Sequence, residues 1–282
     1  VSEMLLYING EIVSEENAVV SVMDHGFLYG VGLFETVRIY DGKLFLWKEH
    51  VARLMAGLSA LHITHDWTAD FLAEAVLHTV QANGLQDAYV RLNVTGGAEG
   101  VGLIAGPYTK PSLFIFVKPV APIPAHPSAK RLQTVSIPRQ TPEGQRRYKS
   151  HNFLNNVLAK QEAGPDLQVE GLLLTREGYV AEGVVSNVFW VRDHILYTPS
   201  TAAGILEGVT RGFVLTLARQ LGIPWQEGLY PLDQLYGADE VFVTNSIQEI
   251  VPVSQIDGNM LPTAYGAVTK RLREAYRDAV AL

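Results

Sequence analysis

Arg146-Arg147-Tyr148-Lys149-Ser150-His151-Asn152-Phe153-Leu154-Asn155-Asn156 lies just past the middle of the chain. It carries one lysine, Lys149, at the mouth of a predicted helix. Leu154, Val157, Leu158 and Gln161 fall at i, i+3, i+4 and i+7, the spacing of one helical face. Upstream, Pro138 and Thr141-Pro142-Glu143-Gly144 are turn residues. The lysine is therefore expected in a loop on a fixed scaffold rather than on an open helical face. Two readings stand on this fragment. One is a solvated lysine in a basic turn, as most lysines are. The other is a reactive amine. The rest of the chain has to choose between them.

The 282 residues suffice for one large domain or two smaller ones with a sizeable core. Hydrophobic residues make up 48% and charged residues 18%, a globular composition. Lys and Arg number 22 against 29 Asp and Glu, a net charge of −7, which argues against a nucleic-acid partner. An anionic ligand would need locally placed arginines and helix N-termini instead. The absence of cysteine excludes disulfides, thiolate catalysis and zinc-finger sites, and it fits a cytoplasmic location. No apolar run approaches the roughly 18 residues of a membrane span, so no membrane partner is expected. Val1-Ser2-Glu3-Met4-Leu5-Leu6-Tyr7 lacks the pattern of a signal peptide.

Asn9-Gly10 and Asp41-Gly42 read as hairpin turns. Between them, Ser21 to Gly32 reads as a loop, with glycines at 26, 30 and 32. It lacks dinucleotide-loop spacing and shows no evident helix. Leu33 to Tyr40 alternates as a strand, with Phe34, Thr36, Arg38 and Tyr40 on one face and Glu35, Val37 and Ile39 on the other. Lys43 to Trp47 is the expected return strand. Helices are expected over about 47–61 and 68–83, then strands over 88–95 and 112–117. Pro119, Pro122, Pro124 and Pro127 make 119–128 a stiff Pro-rich linker. The expected organisation is α+β (mixed α/β), with a small N-terminal α/β domain over 1–118 and a larger domain over 129–282. The larger domain should carry strands near 131–137, 171–181, 195–199 and 240–246. Helices should follow Lys149 and Gly208, and a basic one should start near Ala264.

Several further residues could carry chemistry. Gly208-Val209-Thr210 ahead of a helix offers free N–H groups and a hydroxyl to a phosphate, although an ordinary N-cap is the commoner outcome. Thr244-Asn245-Ser246 places polar groups at a strand end, where a ligand or a plain turn fits equally. Arg53, beside the stripe of Leu54, Leu58 and Leu61, could reach a phosphate or snorkel to solvent. Glu182 could pair with a buried cation or be a solvated turn residue. Phe34, Thr36 and Arg38 with Arg91 and Asn93 could wall a pocket for a carboxylate, or form a plain polar sheet face. The eight histidines show no metal spacing, and neither a G-x-S-x-G elbow nor a P-loop occurs. A lysine, a phosphate cradle and a carboxylate together suit pyridoxal 5′-phosphate. The lysine forms a Schiff base, and the carboxylate keeps the ring nitrogen protonated.

With these motifs in order from Tyr7-Ile8-Asn9-Gly10 to Val251-Pro252-Val253, the sequence resembles the fold-type IV pyridoxal-phosphate enzymes, or class IV aminotransferases. The resemblance implies two domains, the larger a cofactor-binding pseudo-barrel, and a homodimer. It implies Lys149 as the Schiff-base lysine and Glu182 as partner of the pyridine nitrogen. Arg53, Val209, Thr210 and Ser246 would hold the phosphate, with Ser186 and Asn187 beside the cofactor. Asp24-His25-Gly26-Phe27-Leu28-Tyr29-Gly30 and Arg139-Gln140-Thr141-Pro142-Glu143-Gly144 look like the aminodeoxychorismate lyases of this family, which release 4-aminobenzoate and pyruvate in folate biosynthesis. That implies catalysis by Lys149 and Thr36, and substrate contacts from Phe34, Arg38, Arg91 and Asn245 to a small-molecule carboxylate. The alternatives are a branched-chain or D-amino acid aminotransferase, with side transamination expected, or a non-enzymatic domain that kept the fold. Gly96 to Gly102 holds neither arginine nor histidine, unlike the carboxylate trap of the D-amino acid enzymes. Phe153 stands where the branched-chain enzymes usually carry a tyrosine, so that hydroxyl is missing.

Overall fold

Asn9 and Gly10 both take positive φ, 48° and 106°, and close a hairpin between β1 (Leu5–Ile8) and β2 (Glu11–Ser14). The computed structural model describes residues 4–281. After the hairpin come α1 (His25–Tyr29), β3 (Gly32–Tyr40), β4 (Lys43–Leu44), α2 (Trp47–Ala60) and α3 (Ala69–Ala82). β5 (Ala88–Thr95) and β6 (Ser112–Pro119) complete a six-stranded antiparallel sheet of order β2-β1-β6-β5-β3-β4.

The alternation read from the sequence sets the sheet's two faces. Leu33, Val37, Ile39, Val90, Leu92, Leu113 and Ile115 face Leu54 and Leu58 of α2 and Leu72, Val76 and Val80 of α3. The opposite face carries Phe34, Thr36 and Arg38 beside Asn93, Arg91 and Tyr89, their direct cross-strand partners. Two expectations change. The 21–32 stretch does contain a short helix: the Asp24 carboxylate accepts from Gly26 N at 2.7 Å, and Gly30 closes the helix at φ 70°. The return strand stops at Leu44, because Leu46 takes φ 53° and the chain turns into α2.

The loop after β5 is pinned tightly. Gly97 sits at φ 83°, and a Cβ there would overlap the carbonyl oxygen of Lys110. Gly97→Ala is therefore expected to cost at least about 2 kcal/mol, read as a lowered urea midpoint with unchanged slope.

By its contacts the chain divides into two units. The first runs to Pro122 and also takes in Tyr148–Asn152; the second comprises Ile123–Arg147 and the chain from Phe153 on. The sequence placed Lys149 in the larger domain, and backbone pairing is what moves it. Phe34 N donates to Lys149 O and His151 N donates to Gly32 O, both at 2.9 Å, with an antiparallel bridge at Leu33 and Ser150. Lys149 thus stands on a short backbone ladder along the end of β3.

The second unit holds β7 (Lys130–Thr134), α4 (Leu154–Ala163), β8 (Val169–Leu174), β9 (Val180–Gly183), β10 (Asn187–Arg192) and β11 (Ile195–Pro199). They are followed by α5 (Val209–Gln220), β12 (Trp225–Gly228), α6 (Leu232–Tyr236), β13 (Glu240–Asn245), β14 (Glu249–Ile256), β15 (Asn259–Met260) and α7 (Ala267–Ala281). The main path of its nine-stranded sheet is β12-β11-β10-β13-β14-β7-β8-β9. β9 and β10 lie five places apart on that path yet are joined by residues 184–186 alone. Five flat spacings would span about 24 Å. The connection from Gly183 to Asn187 reaches only about 14 Å. The sheet must curl, and the curl brings Glu182 and Asn187 to one turn. The fold is mixed α/β, as expected.

The period at Leu154, Val157 and Leu158 marks α4 correctly, but those side chains are exposed. The helix buries Asn156, Ala159 and Ala163 instead, whose small side chains suit close packing on β8. The basic character of α7 also has a local cause. Arg273 donates to Ala125 O and Arg277 to Pro124 O, while Tyr265 Oη donates to Pro127 O at 3.0 Å. A Pro-rich stretch has carbonyls to offer and few N–H groups, so cations are the matching partners.

Candidate active site

In the first unit the Lys149 amine lies 4.5 Å from the centre of the Phe34 ring. The Arg91 guanidinium lies 3.8 Å from the same centre and donates through Nε to Asn93 Oδ1 at 3.0 Å. His151, two residues on from Lys149, reaches Asn93 Oδ1 with Nε2 at 3.3 Å. Burial, then the Arg91 charge, hold its imidazole down to about 4, against the pull of Asp24 and the Leu33 carbonyl. His151 is therefore neutral at neutral pH.

Thr36 is half-buried on the same face, directly opposite Arg91. Arg38 is placed differently. It is buried, stacks on Tyr40, and donates to Ala121 O at 3.0 Å. Arg53 projects from α2 on the other side of the sheet, where Glu35 grips it.

The low imidazole value has a measurable sign. The folded protein binds the His151 proton less well than the unfolded chain, whose histidine titrates near 6.5. Its contribution to stability is full above that pH and is lost as the pH falls towards 4. His151→Gln should flatten the stability–pH curve in that window, measured as urea midpoints across the range.

In the second unit Glu182 is 4% exposed at the end of β9. Its carboxylate accepts from Arg139 Nε at 2.7 Å, from Asn187 Nδ2 at 3.2 Å and from Leu206 N at 3.0 and 3.1 Å. Burial pushes the carboxyl up, and the Arg139 charge, the Leu206 N–H and the Arg147 charge oppose without cancelling it. Arg139 is held in turn by Asn155 Oδ1 at 2.7 Å and Asn156 Oδ1 at 3.3 Å.

Ser186 is turned away from this group. Its hydroxyl donates to the buried Glu170 at 2.8 Å, and Glu170 also takes Val185 N at 3.0 Å and Lys130 Nζ at 3.4 Å. Glu170 thereby fixes the turn between Glu182 and Asn187. Asn245 uses its Oδ1 on Ile247 N and Gln248 N, at 3.0 and 2.8 Å, to shape the turn that holds Ser246.

Val209 and Thr210 open α5, a helix of 12 residues. Thr210 is 3% exposed, and its buried hydroxyl has no hydrogen-bond partner among the described residues. A Cβ at Gly208, the N-cap, would strike the Asn187 side chain. An orphaned hydroxyl, unspent helix N–H groups and a bare glycine make a cradle that an anion fits. A buried carboxylate beside it suits a protonated ring nitrogen. These residues fit pyridoxal 5′-phosphate.

The sequence profile of the amino-transferase class IV family matches residues 32–256. The chain belongs to that family. Its cofactor is pyridoxal 5′-phosphate. The chain is 41% identical over 278 residues to aminodeoxychorismate lyase of Bacillus subtilis, spanning 98% of this chain and 94% of that protein. It is 40% identical over 277 residues to a protein of Methanocaldococcus jannaschii described as a putative branched-chain-amino-acid aminotransferase, spanning 98% of this chain and 96% of that one. Among solved structures it is similar to the branched-chain aminotransferase of the thermophilic archaeon Thermoproteus uzoniensis with norvaline. The TM-score is 0.88 and the identity 32%, covering 99% of this chain and 96% of that one.

As a class IV enzyme the chain acts on a small molecule, as a lyase or an aminotransferase. None of its described helices is long and apolar enough to cross a membrane. Among the described residues no group of three or more metal-ligating side chains occurs. The reading from sequence overlooked Arg139, Glu35, Glu170 and the role of His151. For the two glutamates a signal existed: each is a carboxylate set within an apolar strand pattern.

Proposed function

We propose that the chain is a 4-amino-4-deoxychorismate lyase, giving 4-aminobenzoate and pyruvate for folate synthesis, and that it works as a cytoplasmic homodimer. The observation that carries this reading is the wall on which Lys149 and Arg91 share the Phe34 ring, with Asn93 and neutral His151 beside them. The substrate has two carboxylates and a ring amine. A guanidinium takes a carboxylate bidentately. A wall of Arg91, Asn93, Thr36 and His151 offers little aliphatic surface to a branched-chain side chain. The likeness to the Bacillus subtilis lyase points the same way.

Bound pyridoxal phosphate supplies the electron sink for breaking a C–H bond next to the substrate nitrogen. Lys149 is the base that takes the C4 proton. The enolpyruvyl oxygen then leaves with its electron pair as the six-membered ring becomes aromatic. Thr36 and Asn245 position the substrate, with Phe34 as its platform. Arg91 holds a carboxylate; Arg38, committed to Ala121 O, serves better to brace the wall. Glu182 accepts the proton-bearing ring nitrogen of the cofactor. Arg53, the N–H groups at Val209 and Thr210, the Thr210 hydroxyl and Ser246 take the phosphate. Asn187 stands beside the ring, and Ser186 supports it through Glu170.

The second reading is an aminotransferase, favoured by the Methanocaldococcus jannaschii relative and the Thermoproteus uzoniensis structure. The test is product formation. Aminodeoxychorismate should yield 4-aminobenzoate and pyruvate in equal amounts, faster than leucine or D-alanine passes its amino group to 2-oxoglutarate. Rapid transamination with no 4-aminobenzoate would replace the lyase by the second reading.

A further inference from the structure

We propose that Glu35 is the residue that aims Arg53, so that phosphate recognition by this chain depends on a buried carboxylate lying behind the arginine. The inference rests on the reading of Arg53 as a phosphate ligand, and it goes beyond that reading by naming what makes the arginine competent.

Glu35 is 2% exposed on the core face of β3, among Leu33, Val37 and Ile39. Its Oε1 accepts from Arg53 Nε and its Oε2 from Arg53 Nη2, both at 2.7 Å. Oε2 also accepts from His50 Nδ1 at 2.7 Å. His50 and Arg53 are three residues apart on α2, so one helical face supplies both donors. Burial alone would push the Glu35 carboxyl up. The Arg53 charge and the hydrogen bonds from Arg53 and His50 outweigh it and hold the group at about 2. Glu35 is ionised throughout the working range.

Packing does not account for this arrangement. An apolar side chain at 35 would extend the surrounding core, and buried ion pairs are often matched or bettered by apolar replacements. What the carboxylate provides is orientation. A guanidinium has five N–H donors in one plane. Two parallel bonds to Glu35 fix that plane and two of the donors, and His50 steadies the carboxylate. The arginine then meets an anion with its rotamers already restricted. A charge-only account predicts the reverse, since removing a negative group should strengthen anion binding. Geometry outweighs it here, because glutamine would set amide N–H groups against guanidinium N–H groups and drive Arg53 out of place.

The experiment titrates the enzyme, stripped of cofactor, with pyridoxal phosphate and separately with pyridoxal, which lacks the phosphate. Wild type, Glu35→Gln, Glu35→Met and Arg53→Ala are compared. Met fills the core without a carboxylate and covers the case in which the Gln variant folds poorly. Loss of charge-assisted bonds to the phosphate should weaken pyridoxal phosphate by about 10- to 100-fold in each variant. Pyridoxal should bind as before, and the bound ³¹P resonance should move towards that of free phosphate ester. Equal weakening of both ligands by the Glu35 variants would reduce Glu35 to a packing role and overturn the proposal. So would tighter binding of pyridoxal phosphate. If Arg53→Ala leaves the ratio of the two affinities unchanged, Arg53 is not a phosphate ligand, and the underlying reading fails with the inference. If only the Glu35 variants leave it unchanged, the inference fails alone.

Discussion

Lys149→Ala is expected to lower turnover by about 10⁴-fold or more, because in the proposed reaction it removes both the Schiff-base amine and the base that moves the C4 proton. The fold should survive. The segment is held by main-chain bonds, Phe34 N to Lys149 O and His151 N to Gly32 O, which an alanine still makes. Visible absorbance separates the two effects. The variant should still bind pyridoxal phosphate through its phosphate while lacking the Schiff-base band, with circular dichroism unchanged. Appreciable 4-aminobenzoate or amino-transfer activity in that variant would remove Lys149 from its place in the mechanism.

Glu182→Gln is expected to cost about 10²- to 10³-fold in kcat, the scale of losing one preorganised electrostatic partner in a dry site. Gln keeps the size and one acceptor oxygen but cannot carry the charge that favours a protonated ring nitrogen. Arg139, 6% exposed, would lose its carboxyl partner. A drop in stability of about 1–3 kcal/mol should accompany the kinetic loss. Rates must therefore be normalised to cofactor-bound protein. A Gln variant with wild-type kcat would mean that the carboxylate serves Arg139 and the 182–187 turn rather than the cofactor.

The chemistry proposed for the site was read from residue types: Lys149, Glu182, Thr210 and Arg53 stand out in the sequence because a reactive lysine, a carboxylate, a helix N-terminus and an arginine would make one chemistry together. The alternation over Leu33 to Tyr40 separated the core face of β3 from its polar face correctly. That same alternation put Glu35 with Val37 and Ile39, but the partners of this buried carboxylate, His50 and Arg53, come from α2 and went unread. Other features are not local and left no such trace. Whether residues 148–152 belong with the first or the second half depends on hydrogen bonds to β3, over a hundred residues earlier in the chain. The committed state of Arg38 depends on a carbonyl in the Pro-rich stretch. The short helix α1 is five residues long, too short for any periodicity to register.

The allegiance of Tyr148–Asn152 constrains how the protein can be made. The first unit closes only when a segment some 25 residues beyond Pro122 has been translated and returned to β3. A nascent chain halted after its sixth strand has the sheet and both long helices but leaves Phe34 N–H and Gly32 C=O without their partners. Cutting the gene between the two halves would yield a fragment without the lysine it needs, and the remainder would carry that lysine with no strand to lie on. The two units are thus poor candidates for independent shuffling or swapping, and a split version of the enzyme should work only when both pieces fold together.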